Sequence, residues 1–338
     1  MAIWTEFHPL KKCVIGTLPR AEDIIQYTNL KNRYKGYFEH ILYTAKEELD
    51  NLQKILEGFG VTTKRSIQNY PFHNGKTINT PPLMIRDFFT IYGENLFKGH
   101  FPYIWNKDLS QSCDHILKDF DKTYDLPSDN KFYDDDFSKF KPEELTRPFF
   151  STACVLKCGN DIIMANDLGR EGNNIGKNLF IKWIKNINPN IKIHYAKTDG
   201  HIDGQIFLVR PGLLITCLHE KSLPRYFDTW EKIFVDNTSN QMLHRRNVYR
   251  HKKFHPVIAK FFYNFLQTNT EETYFNTNSL SIDENTILFT GVHDALFKTL
   301  EQKGITCIPV DMKATTFWDT GVHCATNDIE RTGQLDNY

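Results

Sequence analysis

The sequence predicts an α/β protein whose small β units are arranged around a centre, rather than a doubly wound parallel sheet. Two observations carry this expectation. A short design recurs along the chain: an apolar run, a turn of two or three polar or glycine residues, then a second apolar run. Between these units lie segments with apolar residues at helical spacing, each followed by a short strand-like run.

In chain order, "PLKKCVIGT" begins the first unit. Residues 36–57 then place Phe38, Ile41, Leu42, Ala45, Leu49, Leu52, Ile55 and Leu56 at helical spacing. Gly58 and Gly60 supply the stop, and "VTTKRS" follows as a strand. "RDFFTIYGENLF" (86–97) is the next hairpin, with "GEN" as its turn. Residues 98–148 are polar and carry the acidic run "YDDDFSKF" (133–140), which reads as a solvated loop. "ACVLKCGNDIIMA" (153–165) turns at "GND". A helix is expected over 174–187, with Ile175, Leu179, Ile181, Trp183 and Ile184 on it, followed by the strand "IKIHYAK". "GQIFLVRPGLLITC" (204–217) turns at "RPG". The stretch 236–256 contains "HRRNVYRHKKFH", an exposed basic loop, with binding of an anionic substrate group as the alternative. "SLSIDENTILFT" (279–290) turns at "DEN". A helix in "DALFKTLEQKG" (294–304) and the strand "ITCIPVD" close the series. The chain thus reads as a single domain over 1–338, with polar insertions near 98–148 and 236–270.

With 338 residues the chain can bury a sizeable core. Lys plus Arg and Asp plus Glu balance at 41 each, which gives no electrostatic footprint for nucleic acid. The N-terminus "MAIWTEFHPLKKCVIG" lacks a basic segment followed by an apolar run, so no signal peptide is expected. No apolar stretch approaches the length of a membrane span. Seven cysteines are an odd count, without a C-x-x-C pair, and the simplest reading is free thiols in a reducing cytoplasm. Cys154 and Cys158 stand four apart, a spacing that suits neither zinc nor a thioredoxin-like motif.

Three places could carry chemistry. In "DGHIDGQIFLV" (199–209), His201 and Asp203 stand two apart at the start of an expected strand, where they would share a face. A base and a carboxylate would point into one space, although a histidine satisfied within a turn is the commoner outcome. In "PPLMIRDFFTIYG", Asp87 opens another hairpin beside Arg86, and a salt bridge at the strand end is its plain reading. Cys324, in "GVHCATND", is a core residue by default. Its position at the edge of a polar run makes it a nucleophile candidate. In a strand, the adjacent His323 would point the opposite way, so His201 is the better base for it.

Taken in order, "PLKKCVIG", "IRDFFTIYGENLF", "HIDGQIFLVRPGLLI" and "GVHCATNDIERTGQL" resemble the amidinotransferases that act on arginine and glycine or on inosamine phosphates, within the pentein superfamily. The resemblance extends over most of the chain and includes "LEQKGITCIPVD" and the short tail after the cysteine. It implies a five-bladed α/β propeller, the pentein fold, with pseudo-fivefold repeats around a central active site. It implies that a Cys324 thiolate attacks the central carbon of a guanidino group, with His201 moving protons. Asp87 and Asp203 would hold the guanidinium, and Arg86, Asn276 and Thr326 join them as expected substrate contacts. The implied partners are a guanidino donor, arginine or an analogue, and an amine acceptor, and the implied chemistry needs neither a metal nor an organic cofactor. Relatives are often dimers, so a homodimer is an expectation of the resemblance as well.

Two departures from the family pattern follow. Family members carry an "FDAAD"-type run whose last Asp pairs with the catalytic histidine, and here the matching run is "FSTAC" (150–154), with Cys154 in that place. Either another group takes over, or the chemistry is altered, or the chain is a catalytically weak guanidine-binding protein. After the H-x-D hairpin, arginine-using relatives place an Arg that grips the donor's α-carboxylate. Here "HEKSLPR" (219–225) puts Glu220 in register, with Lys221 or Arg225 as substitutes after a small shift. A hydrolase of the same superfamily, in which water resolves the intermediate, stays open beside the transferase.

Overall fold

Each apolar–turn–apolar stretch folds into an antiparallel hairpin, and each hairpin gains one parallel strand from the chain that follows it. The structure, a computed structural model, describes residues 2–18, 32–68, 82–100, 109–127, 148–169, 171–199, 201–235, 276–315 and 320–338. The acidic run 133–140, the basic cluster 244–255 and the expected insertion over 236–270 lie outside the described residues, as does the side chain of Phe38.

Strand β1 (Leu10–Ile15) is followed by helix α1 (Asn32–Gly58) and by β2 (Thr62–Arg65), which lies parallel to β1. Next come the antiparallel strands β3 (Phe89–Tyr92) and β4 (Asn95–Lys98). After a short helix α2 (Asp114–Leu117), strand β5 (Thr123–Asp125) adds parallel to β4. That strand falls within 98–148, so part of this polar stretch completes a sheet rather than looping out. The third sheet holds β6 (Val155–Cys158), β7 (Asp161–Asp167) and, after helix α3 (Asn174–Ile187), β8 (Lys192–Asp199). The fourth holds β9 (Ile206–Arg210), β10 (Leu213–Thr216) and β11 (Glu231–Phe234), reached through two 3-10 turns. The fifth holds β12 (Leu280–Asp283), β13 (Thr286–Thr290) and, after helix α4 (Asp294–Glu301), β14 (Thr306–Val310). The last strand, β15 (Thr326–Arg331), returns to the beginning and pairs antiparallel with β1, Ile15 opposite Thr326. Among the described residues the result is five three-stranded sheets of one design, the first built from both ends of the chain.

Local chemistry explains the hairpins. A two-residue turn between twisted strands needs left-handed backbone, and Gly93 (φ 58°) and Gly159 (φ 66°) supply it. Helix α1 buries Leu42, Ala45, Leu49, Leu52 and Leu56 against Leu10, Cys13 and Ile15 of β1, which is the helical stripe the spacing predicts. Helix α3 spans the expected residues, capped by the Asn173 side chain accepting from the Gly176 N–H. Its buried stripe is Gly176, Phe180, Trp183 and Ile184, whereas Ile175 is 43% exposed. The reason is contact at Gly176: a Cβ there would run into the Phe149 carbonyl, so the helix is seated on that residue and Ile175 turns outward. Phe180 and Trp183 then pack among Phe97 and Phe150 in an aromatic cluster.

Candidate active site

The chemistry-bearing residues occupy one recurring place, the turn that leads into the first strand of each hairpin. Asp87 ends a 3-10 turn (Ile85–Asp87) just before β3, and Cys154 ends another (Thr152–Cys154) just before β6. Asp203, Asn278 and Cys324 stand in the turns before β9, β12 and β15. Hydrogen bonds link these turns in succession. Thr152 Oγ1 donates to the Arg86 carbonyl (2.5 Å), and the Ile202 N–H to the Ala153 carbonyl (3.1 Å). Thr277 Oγ1 donates to the Gly204 carbonyl, and Asn278 Nδ2 to Cys324 Sγ (2.8 Å). The Arg86 N–H donates to the Cys324 carbonyl (3.5 Å), which returns to the first turn.

Cys324 is buried at 2% exposure, inside a turn rather than a strand. Asn278 Oδ1 accepts both the His323 and the Cys324 N–H groups, at 3.1 Å each. That double acceptance orients the amide, so Nδ2 must face Cys324 Sγ as a donor and favours a thiolate there. On the other side, Asp203 Oδ2 lies 3.7 Å from Sγ and 2.7 Å from His323 Nδ1. The turn therefore corrects the strand expectation for His323: it points toward the same carboxylate as Cys324, not away from it. Asp203 Oδ1 is buried without a hydrogen-bond partner among the described residues, an acceptor placed for an incoming N–H. Burial opposes the charge of Asp203, but the His323 hydrogen bond, followed by the charges of His323, His201 and Arg86, leaves its pKa below the ordinary carboxylate value.

His201 also lies in a turn, since β9 begins only at Ile206, so His201 and Asp203 do not share a strand face. Its Nε2 is 3.1 Å from Glu171 Oε2, 3.2 Å from Ser151 Oγ and 3.8 Å from Asp87 Oδ1. Asp87, Glu171 and Asp203 each thus lie within 4 Å of a histidine nitrogen. Three carboxylates so placed make a site suited to a cation. Cys154 is fully buried among them. Its thiol is pushed well above the usual range by burial and then by Glu171, Asp87 and Asp203, so it is neutral there.

Arg86 does not face the site as a substrate contact. It is buried at 4% exposure, with Nη2 3.0 Å from Asp328, Nη1 3.7 Å from Glu6 and Nε donating to the Thr326 carbonyl (3.0 Å). The strand-end salt bridge expected for Asp87 beside Arg86 is not among the described ion pairs: Arg86 pairs with Asp328 and Glu6, and Asp87 lies by His201. Thr326 is likewise engaged, its hydroxyl donating to the Val322 carbonyl (2.8 Å) at the start of β15. Glu220, Lys221 and Arg225 are exposed in the 3-10 turns between β10 and β11, and Glu220 lies 3.9 Å from Lys232. Asn276 is half-buried, and it is Asn278, two residues on, that holds Cys324. Asn278 was legible in principle, because it occupies the pre-strand position that Asp87, Asp203 and Cys324 also occupy. Glu171 and Ser151 carry no such mark.

Gly321 is required by close approach: a Cβ there would meet Asn278 Oδ1 and, at 2.9 Å, Thr290 Oγ1. Gly321→Ala is expected to push Asn278 off the Cys324 turn and slow covalent modification of Cys324 by roughly 10²-fold, the scale of a misplacement of about 1 Å. Rates of adduct formation, with far-UV circular dichroism to confirm folding, check this.

Among the described residues no helix is long and apolar enough to cross a membrane, and no group of three or more His, Cys, Asp or Glu side chains is placed to hold a metal ion. No protein-family model matches the chain. It is 22% identical to an inosamine-phosphate amidinotransferase of Streptomyces glaucescens, over all of this chain and 99% of that protein. It is also 22% identical to the L-arginine:L-lysine amidinotransferase of Pseudomonas savastanoi, over 91% of this chain and 84% of that protein. Among solved structures, the inosamine-phosphate amidinotransferase of Streptomyces griseus superposes with a TM-score of 0.72 at 18% identity, covering 100% of this chain and 98% of the other. A dimethylarginine dimethylaminohydrolase superposes with a TM-score of 0.62 at 10% identity, covering 95% of this chain and 100% of the other. The mixed α/β fold of five small sheets is that of these proteins.

Proposed function

We propose that the chain is an amidinotransferase that carries an amidino group on Cys324 between a guanidino donor and an acceptor amine. The observation that carries this reading is the meeting of Cys324 with Asp203 at 3.7 Å, in a site that also brings Asp87 and Glu171 to His201. Full-length similarity to amidinotransferases supports it. The ring of hydrogen bonds through the five pre-strand turns supports a five-bladed propeller with the site at its centre.

In this mechanism the donor's guanidinium enters between Asp87 and Asp203, whose oxygens accept its N–H groups. The Cys324 thiolate, backed by the Asn278 amide, adds to the guanidino carbon. The tetrahedral adduct collapses as His201 gives a proton to the departing amine. An amidino–cysteine intermediate remains. The acceptor amine adds to its carbon, His201 takes a proton from that nitrogen, and the sulfur leaves as thiolate. The balance needs no redox or metal step. Arginine is the proposed donor, since it is the donor named for one relative. The acceptors in relatives' names, an inosamine phosphate, lysine or glycine, define the class to be screened. A cytoplasmic location and a homodimer complete the proposal.

Incubation with arginine and no acceptor is expected to yield protein heavier by one amidino group in intact-mass spectra, with release of ornithine, and acceptor amines would then discharge it. Steady release of ammonia or citrulline instead, with no transfer to any amine, would favour the hydrolase, the activity named for the dimethylarginine dimethylaminohydrolase neighbour. Absence of any adduct or product with arginine and with other guanidines would sink both readings and leave a guanidine-binding protein.

A further inference from the structure

We infer that Glu171 is the positioning residue of His201, supplying from the loop after β7 the carboxylate that the Cys154 position does not provide. The inference rests on the amidino-transfer reading for its consequence in rate, though not for its geometry.

An imidazole that moves protons between a sulfur-bound adduct and an amine needs a fixed ring orientation and an anion to stabilise its protonated form. Among the described residues, the charged and titratable groups around His201 include Asp87 before β3, Glu171 after β7 and Asp203, two residues after His201 itself, with the thiol of Cys154 among these carboxylates. Asp87 is 3.8 Å from Nε2, beyond hydrogen-bond distance, and Asp203 gives its Oδ2 to His323. Cys154 is a neutral thiol, a weak acceptor without charge. Glu171 Oε2, at 3.1 Å, is the carboxylate within hydrogen-bond reach of His201 among the described residues, with the Ser151 hydroxyl beside it at 3.2 Å.

The placement of Glu171 is built into the fold. Its carbonyl accepts the Ser151 N–H (2.7 Å), and its own N–H donates to the Leu168 carbonyl (2.8 Å). Gly172 bridges to Phe150, and the Asn173 N–H donates to the Phe149 carbonyl (3.1 Å). Glu171 is thereby paired backbone to backbone with 149–151, the segment that leads into Cys154. Gly172 packs closely on the Leu168 side chain, whose terminal methyl lies 2.7 Å from where a Cβ would sit. The segment that ends in Cys154 rather than an acid thus holds one alongside it, on a loop whose sequence distance from Cys154 hides the relation.

The test is a histidine titration that needs no substrate. Protein labelled with 13C at histidine Cε1 is titrated by NMR, the His201 signal being assigned by its loss in His201→Asn. Glu171→Gln is expected to move the His201 midpoint to lower pH, since an adjacent carboxylate favours the charged ring. Glu171→Asp, which keeps the charge, should move it less. In Glu171→Gln the rate of amidino transfer is expected to fall roughly 10²-fold. Adding Cys154→Asp to that variant should recover part of both the midpoint and the rate, an outcome that a merely structural role for Glu171 would not produce. An unmoved His201 midpoint in folded Glu171→Gln overturns the inference. A shifted midpoint in a protein that forms no adduct with any guanidine leaves the pairing standing and removes the transferase reading instead.

Discussion

Replacing Cys324 with Ala is expected to abolish formation of the amidino adduct, lowering the rate by about 10⁴-fold or more, as loss of a covalent nucleophile does. No other thiol is placed to substitute. Burial pushes Cys13, Cys113, Cys158 and Cys217 up to about 12 and Cys307 to about 11, while Cys154 is raised further by burial and the carboxylates around it. These groups stay protonated at neutral pH and are poor nucleophiles. The variant should still fold. The Cys324 turn is held by backbone groups, the Cys324 and His323 N–H donating to Asn278 Oδ1 and the Ala325 N–H to the Gly321 carbonyl (3.0 Å). The bond from Asn278 Nδ2 to sulfur and the 3.7 Å contact of sulfur with Asp203 Oδ2 are lost, each worth no more than about 2 kcal/mol. Intact-mass spectra after incubation with arginine, and urea unfolding of both proteins, check the two halves. An adduct that persists on the Ala variant would move the nucleophile to another cysteine, with Cys154 the first to examine.

The local parts of this fold were legible because local chemistry decides them. Helix α3 has the expected bounds, since an Asn cap and a helical stripe both lie within its own sequence. The four local hairpins follow from apolar runs around turn residues. What joins β1 to β15 is different in kind: their apolar residues are at opposite ends of the chain, and only tertiary packing reveals the partner. The site divides the same way. Asp87, His201, Asp203 and Cys324 carry residue types that announce chemistry, and the structure sets Asp87 3.8 Å from His201 and Asp203 3.7 Å from Cys324. Their local geometry did not follow, because His201, Asp203 and His323 sit in turns where the alternation of a strand does not apply. Arg86 showed its type but not its environment, since its partners Glu6 and Asp328 come from the two ends of the chain. Glu171 lay beyond reach altogether, because a lone acid in a polar loop has no periodicity, and its meaning depends on the backbone pairing that brings it back to Ser151.

Arg86→Met is expected to destabilise the protein by about 3–5 kcal/mol at neutral pH, the cost of leaving buried carboxylates without their cation. Arg86 is 4% exposed and stands between Asp328 and Glu6, which are themselves buried with Arg331 and Lys157 as their other cations. For both carboxylates burial raises the pKa, yet the cations outweigh it. Lys157 and then His323 and Arg86 hold Glu6 far below its ordinary value, and Arg331 and then Arg86 and Lys157 do the same for Asp328. A carboxyl with a depressed folded-state pKa contributes stability that is present above the unfolded value, near 4, and is lost as the pH falls toward the folded one. Removing Arg86 raises both folded values, so acid unfolding should begin at higher pH in Arg86→Met than in the wild type. Urea unfolding at neutral pH and an acid titration followed by circular dichroism would measure the two effects, and an unchanged acid midpoint would argue against this pairing. Arg86→Lys keeps the charge but not the fork that reaches Asp328 and the Thr326 carbonyl together, so it should fall between the two. Activity should fall with stability, because the Arg86 N–H also meets the Cys324 carbonyl and Asp87 is the next residue. The buried ion pairs therefore act on the chemistry indirectly, by holding the turn of the nucleophile against the turn of one carboxylate that would receive its substrate.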